Sequence, residues 1–197
     1  ENISDQDVIV VAVGENPLRY DRKGKTTGEN VARSSLGLFG RQLEMIQAAK
    51  MMGKPIVVIL VNGRPIAEPW LVDNIDVIIE AWEPGAKGGE ALADIIMGQI
   101  NPSGKLPMTF PNDIYDHKSS LNFPMGGEQM SINDIIYGIQ KKEKAEDEKI
   151  KNNDYTLYEE GIYVGYRHFD KDKLDVSYPF GYGLSYTKFE LNDLKAT

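Results

Sequence analysis

One stretch of the chain gathers the side chains that could do acid–base chemistry. Between Gly14 and Ser35 lie the carboxylic residues Glu15, Asp21 and Glu29 and the guanidinium residues Arg22 and Arg33. Cleaving a glycosidic bond needs two carboxyl groups. One protonates the departing oxygen, and the other acts as nucleophile or base. A carboxylate beside an arginine on a long loop could be one member of such a pair. The same residues also suit an ordinary solvated loop, so spacing alone leaves both readings open.

Other chemistries fit less well. The segment Gly14-Glu15-Asn16-Pro17 has neither the G-x-G-x-x-G spacing of a dinucleotide site nor the lysine of a phosphate-binding loop. No Gly-x-Ser-x-Gly elbow occurs. Cysteine is absent, which removes disulfides and thiolate chemistry. His117 and His168 are the two histidines, too few and too far apart in sequence for a dedicated zinc site. No cofactor is expected. The net charge of -8 argues against nucleic acid as the main partner. No apolar run approaches the ~20 residues of a membrane span, and Glu1–Asp5 is not a signal peptide.

The elements that must position the loop follow from hydrophobic patterning. Val8–Val13, Ile56–Val61 and Val77–Trp82 are short, mostly β-branched apolar runs that predict buried strands. Gln42–Met52 predicts a helix stopped by Gly53, and Gly88–Gly98 another, with Leu92, Ile95 and Ile96 on one face. A short helix is expected within Pro65–Val72, and further strands at Leu106–Phe110 and Leu184–Leu191. Strands alternating with helices predict an α/β sandwich with a mainly parallel sheet flanked by helices. Gly14–Ser35 then leaves the C-terminal end of a parallel strand, where such sheets bind ligands. With 197 residues, 41% hydrophobic and 26% charged, the chain suits one globular domain, residues 1–197. Residues 112–154 break the pattern and read as a variable insertion. Lys141–Lys151 within it is a mixed charge run that suits a solvated helix.

Several motifs then occur in a fixed order. They are Asn62-Gly63-Arg64-Pro65, Ala81-Trp82-Glu83-Pro84-Gly85 with Gly88-Gly89, Asn101–Pro111, Tyr158–Arg167, Phe169-Asp170, and Pro179-Phe180-Gly181-Tyr182-Gly183-Leu184-Ser185-Tyr186. Together they resemble the C-terminal α/β-sandwich domain of glycoside hydrolase family 3, most closely its β-glucosidase-like members. The likeness runs from about Val8 to Leu194, apart from the insertion.

The resemblance implies a division of labour. In that subgroup a glutamate on this loop, followed shortly by an arginine, is the general acid/base, and Gly28-Glu29-Asn30-Val31-Ala32-Arg33 matches best. Glu29 is therefore the implied acid/base, with Glu15 and Asp21 as runners-up. Arg33, Glu15 and Trp82 are candidate substrate-binding residues, although Trp82 also suits core packing. The aspartate nucleophile would lie in an N-terminal barrel domain of the same parent chain, so this chain is expected to be a piece of a larger enzyme and inactive alone. The implied substrate is a β-linked oligosaccharide or glycoside, with β-glucosidase favoured and β-xylosidase next. That substrate class suggests a periplasmic or secreted parent, while the residues themselves assign no compartment. The competing reading is a non-catalytic carbohydrate-binding or scaffold domain. The aromatics Tyr178, Phe180, Tyr182 and Tyr186 are read as packing, and His168 as a structural histidine.

Overall fold

A computed structural model describes residues 5–15, 26–27, 33, 35–118, 159–190, 192–193 and 195. Three apolar runs form one parallel sheet. Its strands are β1 (Ile9–Gly14), β2 (Ile56–Val61) and β3 (Val77–Glu80), in the order β1-β2-β3. Ile9 pairs with Ile56 and Gly14 with Val61, while Val57 pairs with Val77 and Leu60 with Glu80. The central strand is the most deeply covered, with Ile56, Val58, Ile59 and Leu60 all buried. That is why it reads as an unbroken apolar run rather than an alternating one.

Helix α1 (Gln42–Lys50) packs against β1 and β2 and drives fully buried Ile46 into the core. Helix α2 (Pro69–Asn74) carries proline in its first turn, where the missing N–H costs nothing, and it buries Leu71. The core cluster joins Val13, Ile46, Ile56, Val58, Leu60, Ile66, Leu71 and Ile75. Helix α3 (Gly88–Ile96) begins where the chain must pass Pro84. A Cβ on Gly88 would lie 2.6 Å from the Pro84 ring.

A second, two-stranded antiparallel sheet pairs β4 (Phe110–Pro111) with β5 (Val176–Tyr178). Between them in sequence come a 3₁₀ turn, Ile114–Asp116, and helix α4 (Tyr166–Asp172). The turn is held by a reciprocal cap. Asp113 accepts from the Tyr115 N–H at 2.8 Å, and Asp116 accepts from the Asp113 N–H at 2.8 Å. The α/β class and its parallel sheet thus match expectation.

Several boundaries differ. β3 stops at Glu80 rather than Trp82, because Trp82 adopts φ +52° and leaves the extended region. Helix α2 starts at Pro69 rather than near Pro65. The expected strand Leu106–Phe110 contracts to Phe110–Pro111. Leu106 does exchange hydrogen bonds with the tail, donating to Tyr182 O and accepting from the Gly181 N–H, both at 2.8 Å. Pro107, with no N–H, ends that ladder. Residues 184–190 form no strand either. Leu184, Tyr186 and Phe189 are exposed, so there is no buried face to stabilise one. The tail is fixed by side chains instead. Asn101 accepts from Ser185 Oγ at 3.0 Å and from the Tyr186 N–H at 2.8 Å.

Candidate functional site

The C-terminal ends of β1, β2 and β3 converge on one polar cluster. Its geometry begins at Gly14, whose φ is +141°. A Cβ there would sit 1.9 Å from Val61 O, so the strand crossing needs glycine. The first residue of α1 grips the peptide groups on both sides of this glycine. Gln42 accepts from the Gly14 N–H at 2.8 Å and donates to Gly14 O at 2.9 Å. The next N–H, that of Glu15, donates to Val61 O at 2.9 Å.

This path delivers the Glu15 side chain into the interior, 2% exposed, against Arg64 at 16%. Glu15 Oε1 accepts from Arg64 Nε at 2.8 Å and from Nη2 at 2.5 Å. Arg64 also donates from Nη1 to Pro65 O at 3.0 Å and from Nη2 to Gly37 O at 3.3 Å. A buried pair of this kind offsets its own desolvation only while both partners are present.

Asn62, 2% exposed, links the β2 end to β3. Its Nδ2 donates to Arg64 O at 2.6 Å and to Glu80 Oε2 at 3.3 Å, and its backbone N–H donates to Trp82 O at 3.2 Å. Glu80 Oε1 accepts from the Trp82 N–H at 2.9 Å. Burial pushes the Glu80 carboxyl up to about 7, against the lowering effect of the Trp82 and Asn62 donors. Trp82 holds a left-handed backbone that bulky residues rarely adopt. Its ring meets Phe110 edge-on, with centroids 5.9 Å apart.

A cleft of about 480 Å³ opens here, lined by Glu15, Thr27, Val61, Asn62, Glu83, Pro84 and Gly85. Two of its lining residues carry buried acceptors without a partner, Glu15 Oε2 and Asn62 Oδ1. Leaving such atoms dry and unpaired is costly, so the cleft is suited to donors such as hydroxyl groups. Among the described residues, no group of three or more potential ligands could hold a metal ion. No described helix is long and apolar enough to cross a membrane.

The structure brings Glu15 and Trp82 to the same corner. Arg33 is not among the residues that line the cleft, and its guanidinium sits 5.1 Å from the Phe39 ring centroid. Glu29 and Asp21 fall outside the described residues. Sequence reasoning missed Arg64, Asn62 and Glu80 as site residues. Each carried a signal. Glu80 is an acid inside an apolar strand, while Asn62 and Arg64 directly follow the most buried one.

The comparisons with known proteins agree with this architecture. Residues 1–186 match the family model described as the glycosyl hydrolase family 3 C-terminal domain. Thermostable β-glucosidase B of Acetivibrio thermocellus is 36% identical over 191 residues, covering 97% of this chain and 21% of that protein. A β-xylosidase of Formosa agariphila is 33% identical over 189 residues, covering 93% of this chain and 20% of that protein. Among solved structures, β-glucosidase from Kluyveromyces marxianus in complex with glucose superposes with a TM-score of 0.73 at 30% identity. That match covers 98% of this chain and 19% of the other. The chain thus spans about a fifth of the length of the curated relatives it matches. The motif order, the parallel sheet and these matches together place the chain in the C-terminal domain family of the family 3 glycosyl hydrolases.

Proposed function

We propose that the chain serves as the C-terminal domain of a retaining exo-β-glycosidase, with a β-glucosidase favoured, and that it supplies Glu29 as general acid/base. The observation that carries this reading is the cleft at the strand ends. It lies where β1 runs out into the loop that bears Glu29, and it holds two buried acceptors suited to hydroxyl donors. The relatives' names favour a β-glucosidase, since five of eight similar proteins carry that name, beside one β-xylosidase and two exo-α-(1→6)-L-arabinopyranosidases.

In this mechanism an aspartate in an N-terminal barrel domain attacks the anomeric carbon while Glu29 protonates the leaving oxygen. Glu29 then takes a proton from the water that releases the sugar. Arg33 orients that exchange, Trp82 borders the sugar, and Glu15 holds the loop's point of departure through Arg64. The span 112–154 is read as a variable insertion, and its described part, residues 112–118, is tied to α4 and β5.

The test is Glu29→Gln in the full-length protein, assayed on aryl β-glucosides and aryl β-xylosides. Turnover is expected to fall by about 10²–10⁴-fold with the melting temperature unchanged, and added azide restores it. Unaltered turnover would assign the role to another carboxylate or leave the domain non-catalytic. The isolated chain is expected to hydrolyse neither substrate. Activity in it would place both carboxyl groups within these residues.

A further inference from the structure

Trp82, the residue before Glu83 of the cleft lining, is a bulky residue held at φ +52°, a conformation that persists only when its surroundings enforce it. Three contacts do so. Glu80 Oε1 accepts from the Trp82 N–H at 2.9 Å, the Asn62 N–H donates to Trp82 O at 3.2 Å, and the ring rests edge-on against Phe110, itself 2% exposed. Glu80 closes the circuit, because its second oxygen accepts from Asn62 Nδ2 at 3.3 Å. One carboxyl group therefore holds both the Trp82 N–H and the side chain of Asn62, the residue whose backbone N–H grips the Trp82 carbonyl. The kink turns the chain so that Glu83, Pro84 and Gly85 become one wall of the cleft.

We infer that Glu80 is a positioning residue. It fixes the left-handed turn at Trp82 through paired hydrogen bonds and so sets the Glu83–Gly85 wall against which ligand binds. This inference rests on the reading of the cleft as part of a glycosidase site. Both Glu80 oxygens act as acceptors here, so the ionised carboxyl grips fully, whereas a proton on Oε2 leaves Asn62 a hydroxyl that accepts more weakly than a carboxylate. The charged groups around it are the Glu15–Arg64 pair from the ends of β1 and β2, and Glu83 just beyond β3. Its midpoint near 7 brings the change into an accessible pH range.

The experiment follows the Trp82 backbone N–H by NMR in the chain labelled with [¹⁵N]tryptophan and [δ-¹³C]glutamate. The chain has two tryptophans, so Trp70→Phe assigns the signals. The Trp82 amide and the Glu80 carboxyl are expected to titrate with one shared midpoint near 7, while the Trp70 amide stays flat. A flat Trp82 amide, or a midpoint different from that of Glu80, overturns the inference in a chain whose Glu80, Asn62 and Trp82 are all unaltered.

A second arm measures kcat/KM against pH for Glu80→Gln in the full-length protein. We expect a loss of about tenfold, the scale of one hydrogen bond, carried mainly by KM, and a profile without the wild-type limb near 7. A profile identical to wild type overturns the inference. A wild-type full-length protein with no glycosidase activity would instead sink the functional reading, and the shared titration would still stand as evidence for the role of Glu80 at Trp82.

Discussion

Two corners of this molecule bury polar side chains, and they do so to different ends. At the strand ends, the Glu15–Arg64 pair, Asn62 and Glu80 form a chain of contacts that still leaves Glu15 Oε2 and Asn62 Oδ1 without partners. Around α4, the buried His168 faces an oxygen on each side, with Asp116 O 2.8 Å from Nε2 and Asp172 Oδ2 3.0 Å from Nδ1. Lys118 adds a second contact to Asp172 at 2.8 Å, and Asn112 links Ser177 to the backbone of Asp175. The α4 corner uses polar atoms to tie distant segments together. The strand-end corner keeps spare hydrogen-bonding capacity facing a cleft. Neither inventory closes, since His168 Nδ1 lies at ion-pair distance from Asp172 yet makes no hydrogen bond. What separates the two corners is that the residues carrying the spare strand-end acceptors line a cleft.

The sharpest way to break this contrast is Arg64→Met. It strands a carboxylate that is 2% exposed, and we expect a loss of about 3–5 kcal/mol in urea unfolding. Adding Glu15→Gln to that variant should recover much of the loss. A cost below about 1 kcal/mol would mean that water already solvates the pair. The cleft would then be no more tightly built than an ordinary surface.

Next in size is the pH response of the strand-end corner. Burial raises the Glu80 carboxyl to about 7, so between the ordinary carboxylate range and that value the folded chain keeps a proton that the unfolded chain releases. Stability should therefore fall as pH rises through this window, and the cost should persist above it. Because Glu80 keeps some contact with solvent, the expected size is about 1–3 kcal/mol. Comparing unfolding midpoints at pH 5 and pH 8 should show a dependence that Glu80→Gln reduces. An unchanged dependence in the variant would assign the effect to another group.

The smallest expected effect lies in the other corner. Asp113→Ala removes the side chain that accepts from the Tyr115 N–H, and should cost about 1 kcal/mol. Catalysis by the full-length protein should be untouched at temperatures where the variant is folded. If kcat/KM falls with it, the α4 corner also shapes the site and the contrast fails.

The sheet was legible in the sequence because all three strands are apolar runs. Only the central β2 is buried on both faces, and Val10 of β1 and Val77 of β3 are exposed, against the expectation of buried strands. Ile56–Val61 announces itself as six consecutive apolar residues, and helices α1 and α3 are followed closely by Gly53 and Gly98 at positive φ. The second sheet was not legible. β4 and β5 are two and three residues long, and they pair across more than 60 positions. Helix α4, Tyr166–Asp172, has too few turns to show a period, and its start depends on Gly165 at φ +58°. The site was legible in part. Glu15 and Trp82 stood at strand ends, yet the role of Arg64 depends on a partner 49 residues away, which no local pattern encodes. Trp82 misled the strand boundary because its apolar ring argues for extension, while its backbone is bent by a carboxyl two residues earlier.

The tail bears on how this domain can vary. Pro179–Thr187 is clasped to the turn around Asn101–Leu106 by Asn101, by the paired contacts of Leu106, and by Lys105 donating to Gly183 O. Gly183 passes so close that a Cβ would meet Gly104 O at 2.2 Å. Asn112 and Asp116 fasten the near end of the intervening chain to β5 and α4. Both rims of that span are therefore anchored independently of what lies between them. The entropic toll of a longer connection grows only logarithmically, about 0.6 kcal/mol for each doubling. A domain stitched in this way can acquire or shed whole segments between positions 118 and 159 over evolutionary time while its sheet and cleft stay in register.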